Sequence, residues 1–486
     1  MRIISVFHAA DTRLFRKAIS NHSPSLDRVL FPLSKAANRS VLWMGLAAVL
    51  GVTGGRFGRR AALRGMISLA MTSAVANLPL KSIARRKRPE AKLLPKPRRL
   101  IRRPVSYSFP SGHAASAAAF ATGAGMEAPR LAAPLGAVAA AVAYSRVYSG
   151  VHYPGDVAAG AAIGTAIALS TRRWWPMAST QPASRQPVKS SAVTEASRDG
   201  EGFAIVTNPE AGPALSKNPA DDLRHELPNA EVIEVAPEGD FGAALKAASS
   251  RAKILGVAGG DGSVAAAAEL AAEQNKPLMV VPAGTLNHFA RDLELSSVQD
   301  AIDAVHKGQT IAVDTGTIDG RLFLNTASFG GYADLVDARE RLESKIGKWP
   351  ALLAGLVKVL RHSTPVDVRL NGTRRTLWMI FIGNCCYQPS GFAPNSRRSM
   401  NDGLLDVRLV DGTTPWARIR LLSAVLTGTL ANSRVFEQFT ATQLEIESLG
   451  GPLRLARDGE TFDGSAKFTV AKGPRPLAVF APYGPE

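Results

Sequence analysis

Three short motifs between Lys81 and Asp156 hold the groups that a phosphomonoesterase working without metal requires: Lys81-x6-Arg88-Pro89, Pro110-Ser111-Gly112-His113 and Ser145-Arg146-x5-His152-x3-Asp156. That chemistry has to neutralise the phosphoryl oxygens, attack phosphorus and protonate the leaving alkoxide. The arginine forks suit phosphate geometry, and the backbone amides around Ser111 and Gly112 add further donors. His152 and Asp156, four residues apart, face one way if a helix begins at Pro154, a favoured first-turn residue. Taken singly, a histidine on an apolar segment packs or caps, and a basic run is a solvated loop. Three complete motifs in this order are the informative observation.

A second set lies downstream. Gly259-Gly260-Asp261-Gly262-Ser263 follows an apolar strand and opens a helical stretch, so its amides and the helix N-terminus can cradle a phosphate. Alone it could be only a tight turn. It gains weight from Asn208-Pro209 after an earlier strand, Pro282-Ala283-Gly284-Thr285-Leu286-Asn287 after a later one, Asp402-Gly403-Leu404-Leu405-Asp406, and Asp458-Gly459-Glu460 near the end.

The elements that must position these groups differ between the two halves. A chain of 486 residues is too long for one ordinary domain. Of its net charge of +18, residues 1–175 contribute +21, from 26 Lys and Arg against 5 Asp and Glu; the remainder sums to −3, from 32 against 35. The basic half is also the apolar half, which favours an anionic membrane over nucleic acid as partner. Residues 1–40 read as amphipathic surface helices carrying Arg13, Arg16, Lys17, Arg28 and Lys35, with no cleavable signal expected. Alanine- and glycine-rich apolar stretches follow near 41–55, 62–80, 113–127, 131–149 and 157–171. Several are shorter than a lone spanning helix, and their small residues suit close helix packing. Trp174 and Trp175 behind Arg172 and Arg173 mark a membrane boundary.

Residues 176–202, rich in Ser, Ala, Pro and Gln, read as a flexible linker. Strands then alternate with helices over 203–315, as in a parallel α/β layer. Over 316–486 the pattern is antiparallel: VDVRLNGTRRTLWMIFIGN alternates about Asn371-Gly372, a hairpin signal, and LLDVRLV, QLEIES, LRLA, KFTVA and LAVFAP continue a β-sandwich, with helices near 350–362 and 415–433. The only cysteines, Cys385 and Cys386, are adjacent, so no disulfide framework exists and this half reads as cytosolic.

On its three motifs the stretch 40–171 resembles the type 2 phosphatidic acid phosphatase family (PAP2), integral-membrane enzymes that remove phosphate from lipids. The resemblance implies an all-α transmembrane helical bundle in 41–175. It makes His152 the nucleophile that forms a phosphohistidine, Asp156 the holder of its other ring nitrogen, and His113 the general acid. Lys81, Arg88, Arg146, Ser111 and Gly112 would bind phosphate, with no cofactor. The stretch 203–483 resembles the diacylglycerol kinase catalytic family, which includes sphingosine and bacterial lipid kinases. That resemblance implies an α/β nucleotide-binding domain with a β-sandwich, and ATP with Mg2+ between them. Asn208, Gly259, Gly260, Asp261, Gly262, Ser263, Thr285 and Asn287 would line the nucleotide site, with Asp261 near the magnesium. Glu460 would be the base and Asp402 the ligand of a second, structural magnesium. Two departures stand out: Val264-Ala265-Ala266-Ala267 replaces the family's usual Asn-Glu, and His288 replaces its usual Asp.

The implied activity is a multi-pass membrane enzyme, a lipid phosphatase fused to a lipid kinase, whose partners are lipids such as phosphatidic acid, a polyprenyl phosphate or diacylglycerol. The alternative keeps the phosphatase and makes the kinase-like half a silent nucleotide or lipid sensor, on the strength of Ala265 and His288. ATP places the kinase half in the cytosol, and a final span over 157–171 then turns the phosphatase outward. The basic 81–103 loop opposes this by the positive-inside rule, although part of its charge serves phosphate and head-group binding.

Overall fold

The computed structural model describes all residues except 1, 21–22, 77–85, 91–105, 174, 178–182, 189–197, 209–218, 237, 285–286, 347–353, 356–357, 360, 389–395, 428 and 484–486. Lys81, Trp174 and Thr285 lie outside the described residues, as does most of the helix expected at 350–362. The chain forms two units, Met1–Ala178 and Ser179–Glu486.

The first unit is helical: α1 (Arg2–Ser20), α2 (Pro24–Ala36), α3 (Val41–Thr53), α4 (Gly55–Val75), α5 (Gly112–Glu127), α6 (Ala132–Tyr148) and α7 (Pro154–Ser170). The five apolar stretches read from the sequence correspond to α3 through α7. Helix α5, GHAASAAAFATGAGME, is the centre of the bundle. It buries ten of its residues, and Phe120 packs on Trp43 of α3 with ring centroids 5.1 Å apart. Helices α5 and α7 run side by side in the same direction, because two glycines on α7 remove the side chains that would hold them apart. A Cβ at Gly160 would lie 2.4 Å from the Ser111 carbonyl oxygen, and one at Gly164 2.1 Å from that of Ala115. Small residues allow this approach of backbones.

At the far ends of α5 and α7, Arg64 is fully buried, donating to Glu127 (2.7 Å) and Thr171 (2.9 Å), while Arg60 reaches the same carboxylate at 2.9 Å and both guanidinium groups lie over the Trp175 ring. Two cations on one buried carboxylate, with carbonyls of Trp175 and Pro176 as further acceptors, keep the charges paired. Among the described residues one helix, Pro129–Tyr148, is long and apolar enough to cross a membrane, and the pair Pro24–Ala36 and Asn38–Thr53, bent by 68°, passes as a joint span.

The second unit contains strands β1 (Phe203–Thr207), β2 (Glu231–Glu234), β3 (Ile254–Gly259), β4 (Leu278–Pro282), β5 (Thr310–Val313), β6 (Gly316–Ile318), β7 (Arg321–Phe323), β8 (Thr326–Gly330), β9 (Val366–Leu370), β10 (Thr373–Asn384), β11 (Tyr387–Gln388), β12 (Ser396–Arg397), β13 (Leu405–Asp411), β14 (Phe436–Ala441), β15 (Gln443–Ser448), β16 (Arg454–Arg457), β17 (Glu460–Asp463), β18 (Lys467–Lys472) and β19 (Leu477–Phe480). Its helices are α8 (Pro219–Glu226), α9 (Phe241–Arg251), α10 (Asp261–Glu273), α11 (His288–Asp292), α12 (Val298–His306), α13 (Gly331–Ile346) and α14 (Ala417–Thr427). The order β2-β1-β3-β4-β19-β5 makes a mostly parallel sheet, and an antiparallel sheet of 11 strands forms the rest of the core. Strand β10 belongs to both layers of the latter: Thr373–Leu377 pair with β9, whereas Met379–Gly383 pair with β8.

Two expectations are corrected. LAVFAP does not continue the sandwich; β19 enters the α/β sheet, parallel to β4 and antiparallel to β5. Its buried Leu477, Val479 and Phe480 need the two-sided cover of a central strand. Residues 183–188, expected within a flexible linker, instead carry fixed structure. They run beside β5, with Val188 N–H donating to Thr310 O and Ala312 N–H to Gln186 O, and Arg185 pairs with Glu294 at 3.0 Å.

Candidate functional sites

In the first unit the N-termini of α5 and α7 meet, with Ser111 N–H donating to Asp156 O at 2.9 Å. Two helix N-termini, each a partial positive charge with unsatisfied amides, thus open on one place. Ser111 caps α5, so the Gly112 and His113 amides stand in its first turn. The turn that carries His152 is held by the backbone of α6, because the amides of Val151 and His152 both donate to the Arg146 carbonyl, at 3.1 and 3.2 Å.

His152 is buried, with Nδ1 3.6 Å from Asp156 Oδ2 and Nε2 3.3 Å from Arg88 Nη1. In apo sites such contacts are long and tighten when substrate binds. The pair fits one tautomer, with the proton on Nδ1 facing the carboxylate and a lone pair on Nε2 beside the guanidinium. Burial pushes the imidazole down to about 4, the Asp156 hydrogen bond pulls it back up, and Arg88 and Arg146 push it down. Burial thus favours the uncharged ring, which keeps a lone pair on one nitrogen. Arg88 is fixed by the carbonyls of Ser106 (2.7 Å) and Val151 (2.8 Å). Arg146 is buried, donates through Nη1 to Ser34 at 2.6 Å, and leaves its Nε without a partner among the described residues. A buried N–H without an acceptor beside the His152 turn fits an incoming phosphate oxygen. His113 Nε2 meets Asn38 Oδ1 at 2.9 Å. Of the residues expected here, Arg88, Ser111, Gly112, His113, Arg146, His152 and Asp156 gather at this end of the bundle.

The sequence reading did not single out Arg86 or Asp11. Arg86 donates to Asp156 Oδ1 and to Asp11 Oδ2, each at 2.7 Å. It stands among basic neighbours with nothing in the spacing to mark it, and Asp11 lies 145 positions before Asp156, outside any motif.

In the second unit the loops after β1, β3 and β4 meet at the carboxyl edge of the parallel sheet, where such sheets bind ligands. Asn208 Nδ2 donates to Ser263 Oγ at 2.9 Å, and Gly259 is tight against Ser263, since a Cβ there would lie 2.6 Å from the serine Cβ. Gly260 and Gly284 meet backbone to backbone; a Cβ at Gly284 would be 2.4 Å from Gly260 Cα. Asn287, left-handed at φ 48°, closes the β4 loop by bonding Gly284 N–H (3.0 Å) and Gly284 O (2.8 Å). Asp261 Oδ1 accepts from the Phe289 amide at 3.2 Å. Glu460, the first residue of β17, reaches this loop, with its carboxylate against Gly262. A 13-residue helix that begins in a glycine turn fits a nucleotide phosphate, and Asp261 is an oxygen donor of the kind magnesium takes.

The departures have structural correlates. Val264, Ala265 and Ala267 are buried, so these positions face the core and not the loop, and His288 Nδ1 is engaged by Arg291 at 2.6 Å.

Asp402 does not fit a structural magnesium. Its oxygens accept the amides of Cys386 (2.8 Å) and Leu404 (3.0 Å). Donor atoms of Asp314 and Cys385 lie within 4.8 Å of it and of each other. The Lys472 ammonium already sits in this cluster, 2.9 Å from Asp314 and 2.6 Å from Asn384 Oδ1. An internal cation, bound amides and a buried thiol suit neither the charge nor the hard oxygen shell that magnesium demands.

Comparison with known proteins agrees with this division. Residues 62–179 match the PAP2 superfamily, 202–318 the diacylglycerol kinase catalytic domain, and 333–481 the YegS C-terminal NAD kinase beta sandwich-like domain. The chain is 28% identical over 229 residues to a diacylglycerol kinase of Bacillus subtilis (45% of this chain, 74% of the relative). It is 31% identical over 238 residues to a "Probable lipid kinase YegS-like" of Pseudomonas aeruginosa (46% of this chain, 76% of the relative). A solved transmembrane PAP2 type phosphatidylglycerolphosphate phosphatase from Bacillus subtilis is similar over 34% of this chain and 83% of its own, at 25% identity and a TM-score of 0.28. The chain belongs to the diacylglycerol kinase and YegS-like lipid kinase family, and carries a PAP2 superfamily domain ahead of its kinase domains.

Proposed function

We propose that the chain is a bifunctional lipid enzyme of the cell membrane, in which a metal-independent phosphatase and an ATP-dependent lipid kinase catalyse opposed reactions. What carries the phosphatase reading is the line Arg88–His152–Asp156 at two helix N-termini. His152 Nε2 attacks phosphorus, a P–N bond forms as the P–O bond to the lipid breaks, and His113 supplies a proton to the leaving oxygen. Water then hydrolyses the phosphohistidine to free phosphate. Arg88, Arg146 and, by its place in the motif, Lys81 hold the phosphoryl oxygens.

The kinase reading rests on Glu460 lying against the glycine turn. Asn208, Gly259, Gly260, Asp261, Gly262, Ser263, Thr285 and Asn287 hold the nucleotide, and Asp261 its magnesium, which supplies charge neutralisation on the phosphates when bound. Glu460 takes the proton of the lipid hydroxyl. The first domain releases a lipid hydroxyl and the second phosphorylates one, so the product of either is chemically an acceptor or donor for the other. ATP places the kinase in the cytosol, and helix α7 leads from the phosphatase site to the opposite end of the bundle, which supports a phosphatase that faces outward.

The test is phosphate release from a short-chain phosphatidic acid, together with transfer of radiolabelled phosphate from ATP to diacylglycerol, sphingoid and polyprenol acceptors, using the purified full chain. His152→Ala should abolish the first reaction and leave the second. Phosphatase activity with no labelled lipid from any acceptor would replace the kinase reading by the sensor reading.

A further inference from the structure

Helix α1 precedes the stretch that matches the PAP2 superfamily, which begins at residue 62. Phe15 and Ile19, on one face of α1, are buried with Val147 against the half-buried Tyr153 and Val157, and Phe15 meets Tyr153 edge-on at 5.4 Å. Asp11, one turn before Phe15 on the same face, is thereby delivered to the start of α7. Its Oδ1 accepts the Gly155 amide at 2.7 Å and its Oδ2 accepts Arg86 Nη2 at 2.7 Å. The approach depends on a glycine, because a Cβ at 155 would lie 2.9 Å from Asp11 Oδ2. Arg86 lies over the Tyr153 ring at 4.2 Å and gives its other terminal nitrogen to Asp156 Oδ1 at 2.7 Å. Asp156 Oδ2 then has two remaining partners, the Tyr153 amide at 2.9 Å and the His152 ring.

We propose that Asp11 is a positioning residue of the phosphatase site, acting through Arg86 to aim the Asp156 carboxylate at His152. The inference rests on the phosphatase reading above. With Arg86 pinned from two sides, Asp156 cannot rotate without losing a charge-assisted bond, so its second oxygen stays turned to Nδ1 and the ring keeps its lone pair on Nε2. The N-terminal helix is thus part of the working site, although no phosphate-binding motif lies in it.

The chain Asp11–Arg86–Asp156–His152 alternates in sign, and this separates positioning from mere support. The charged and titratable groups around the His152–Asp156 pair are Arg86 and Arg88, Arg146 from α6, and Tyr153, with Asp11 from α1 behind Arg86 and Glu90 acting on Tyr153. Removing the negative charge of Asp11 disfavours protonated His152, and removing the positive charge of Arg86 favours it.

The experiment is the pH profile of kcat/KM for release of phosphate from short-chain phosphatidic acid by the detergent-solubilised full chain. Substrate ionisation is common to all variants and cancels. Asp11→Asn should lower kcat by about tenfold to a hundredfold with KM little changed. It should also move the acid limb down by about half a unit, and Arg86→Gln should move it up by a similar amount. Arg86→Lys, which keeps the charge, should leave the limb in place while kcat falls. The double variant Asp11→Asn/Arg86→Gln should return the limb towards its original pH. Displacements in the same direction, or none, would overturn the proposal. Should Arg86→Gln fail to give a cooperative thermal transition, the isosteric Asp11→Asn decides alone, by a downward limb or an unmoved one. A wild-type chain no more active than His152→Ala would overturn the phosphatase reading, and this inference with it.

Discussion

The carboxylate of Glu460 lies directly against Gly262: a β-carbon at position 262 would sit 2.2 Å from Oε1. The two residues are 198 positions apart, Gly262 on the first turn of α10 and Glu460 at the start of β17, and two ion pairs brace this part of the unit. Arg457 reaches Glu269 of α10 at 3.2 Å and Arg397 reaches Asp292 at 2.7 Å. Helix α10 begins at the glycine turn, so the first of these pairs ties the turn to the strand pair that carries Glu460.

Gly262→Ala should therefore displace the Glu460 carboxylate while leaving the fold intact, since the residue is on the first turn of α10 and outside its buried face. We expect a loss of about tenfold to a hundredfold in kinase kcat, the range seen when a catalytic group shifts by roughly 1 Å. Glu460→Gln should cost ~10²–10⁴-fold, the contribution of a general base. Steady-state transfer of phosphate to lipid measures both, and phosphatase activity in the same preparations should be unchanged. Equal rates for Gly262→Ala and wild type would show that the contact has no catalytic meaning.

Asp458 holds the turn before Glu460. Its carboxylate accepts the amides of Leu324 and Asn325 at 2.7 Å and of Thr326 at 3.0 Å, and its backbone is left-handed at φ 45°. Asp458→Ala leaves buried amides without an acceptor, at a cost of at least ~1–3 kcal/mol. The expected result is a lower denaturation midpoint of the kinase half together with reduced kinase kcat, read by chemical unfolding and turnover. Asp458→Asn, which retains one acceptor oxygen, should recover part of each.

Burial pushes the His152 imidazole down from 6.5 to about 4 in the folded chain. Between those values the unfolded chain binds a proton that the folded chain refuses, so stability is full above pH 6.5 and is lost as the pH falls towards 4. Thermal unfolding of the solubilised protein should show this slope, and His152→Gln should flatten it. An identical pH dependence in the variant would mean that burial does not hold the ring neutral.

Gly164→Ala tests the parallel contact of α5 with α7. Its β-carbon would meet the Ala115 carbonyl at 2.1 Å, which no side-chain rotation relieves. A loss of at least ~1–3 kcal/mol is expected from overpacking of this kind. Because the same contact aligns Ser111 with Asp156, phosphatase activity should fall with it. Gly136, with nothing within 4 Å of the corresponding position, is the control: Gly136→Ala should change neither quantity.

The order of the chain's parts was legible from local chemistry. Alternation about Asn371-Gly372 gave the hairpin β9–β10, alanine-rich apolar runs gave α3 to α7, and motif spacing singled out two sets of residues that the fold gathers into clusters, because helix pitch and turn geometry each act over a few residues. The sequence could not show which distant charges would be paired. Asp402 carried no sign that Asp314, beside it in space, would pair with Lys472, and β19 looked like one more sandwich strand until it was found between β4 and β5. Among eleven basic residues from Lys81 to Arg103, nothing local distinguishes Arg86, which only the docking of α1 sets between Asp11 and Asp156. Residue types and spacing thus determined which reactions this chain is equipped for. The tertiary structure decided which charges face one another, because ion pairing depends on distance in space and carries no signature in the order of residues along the chain.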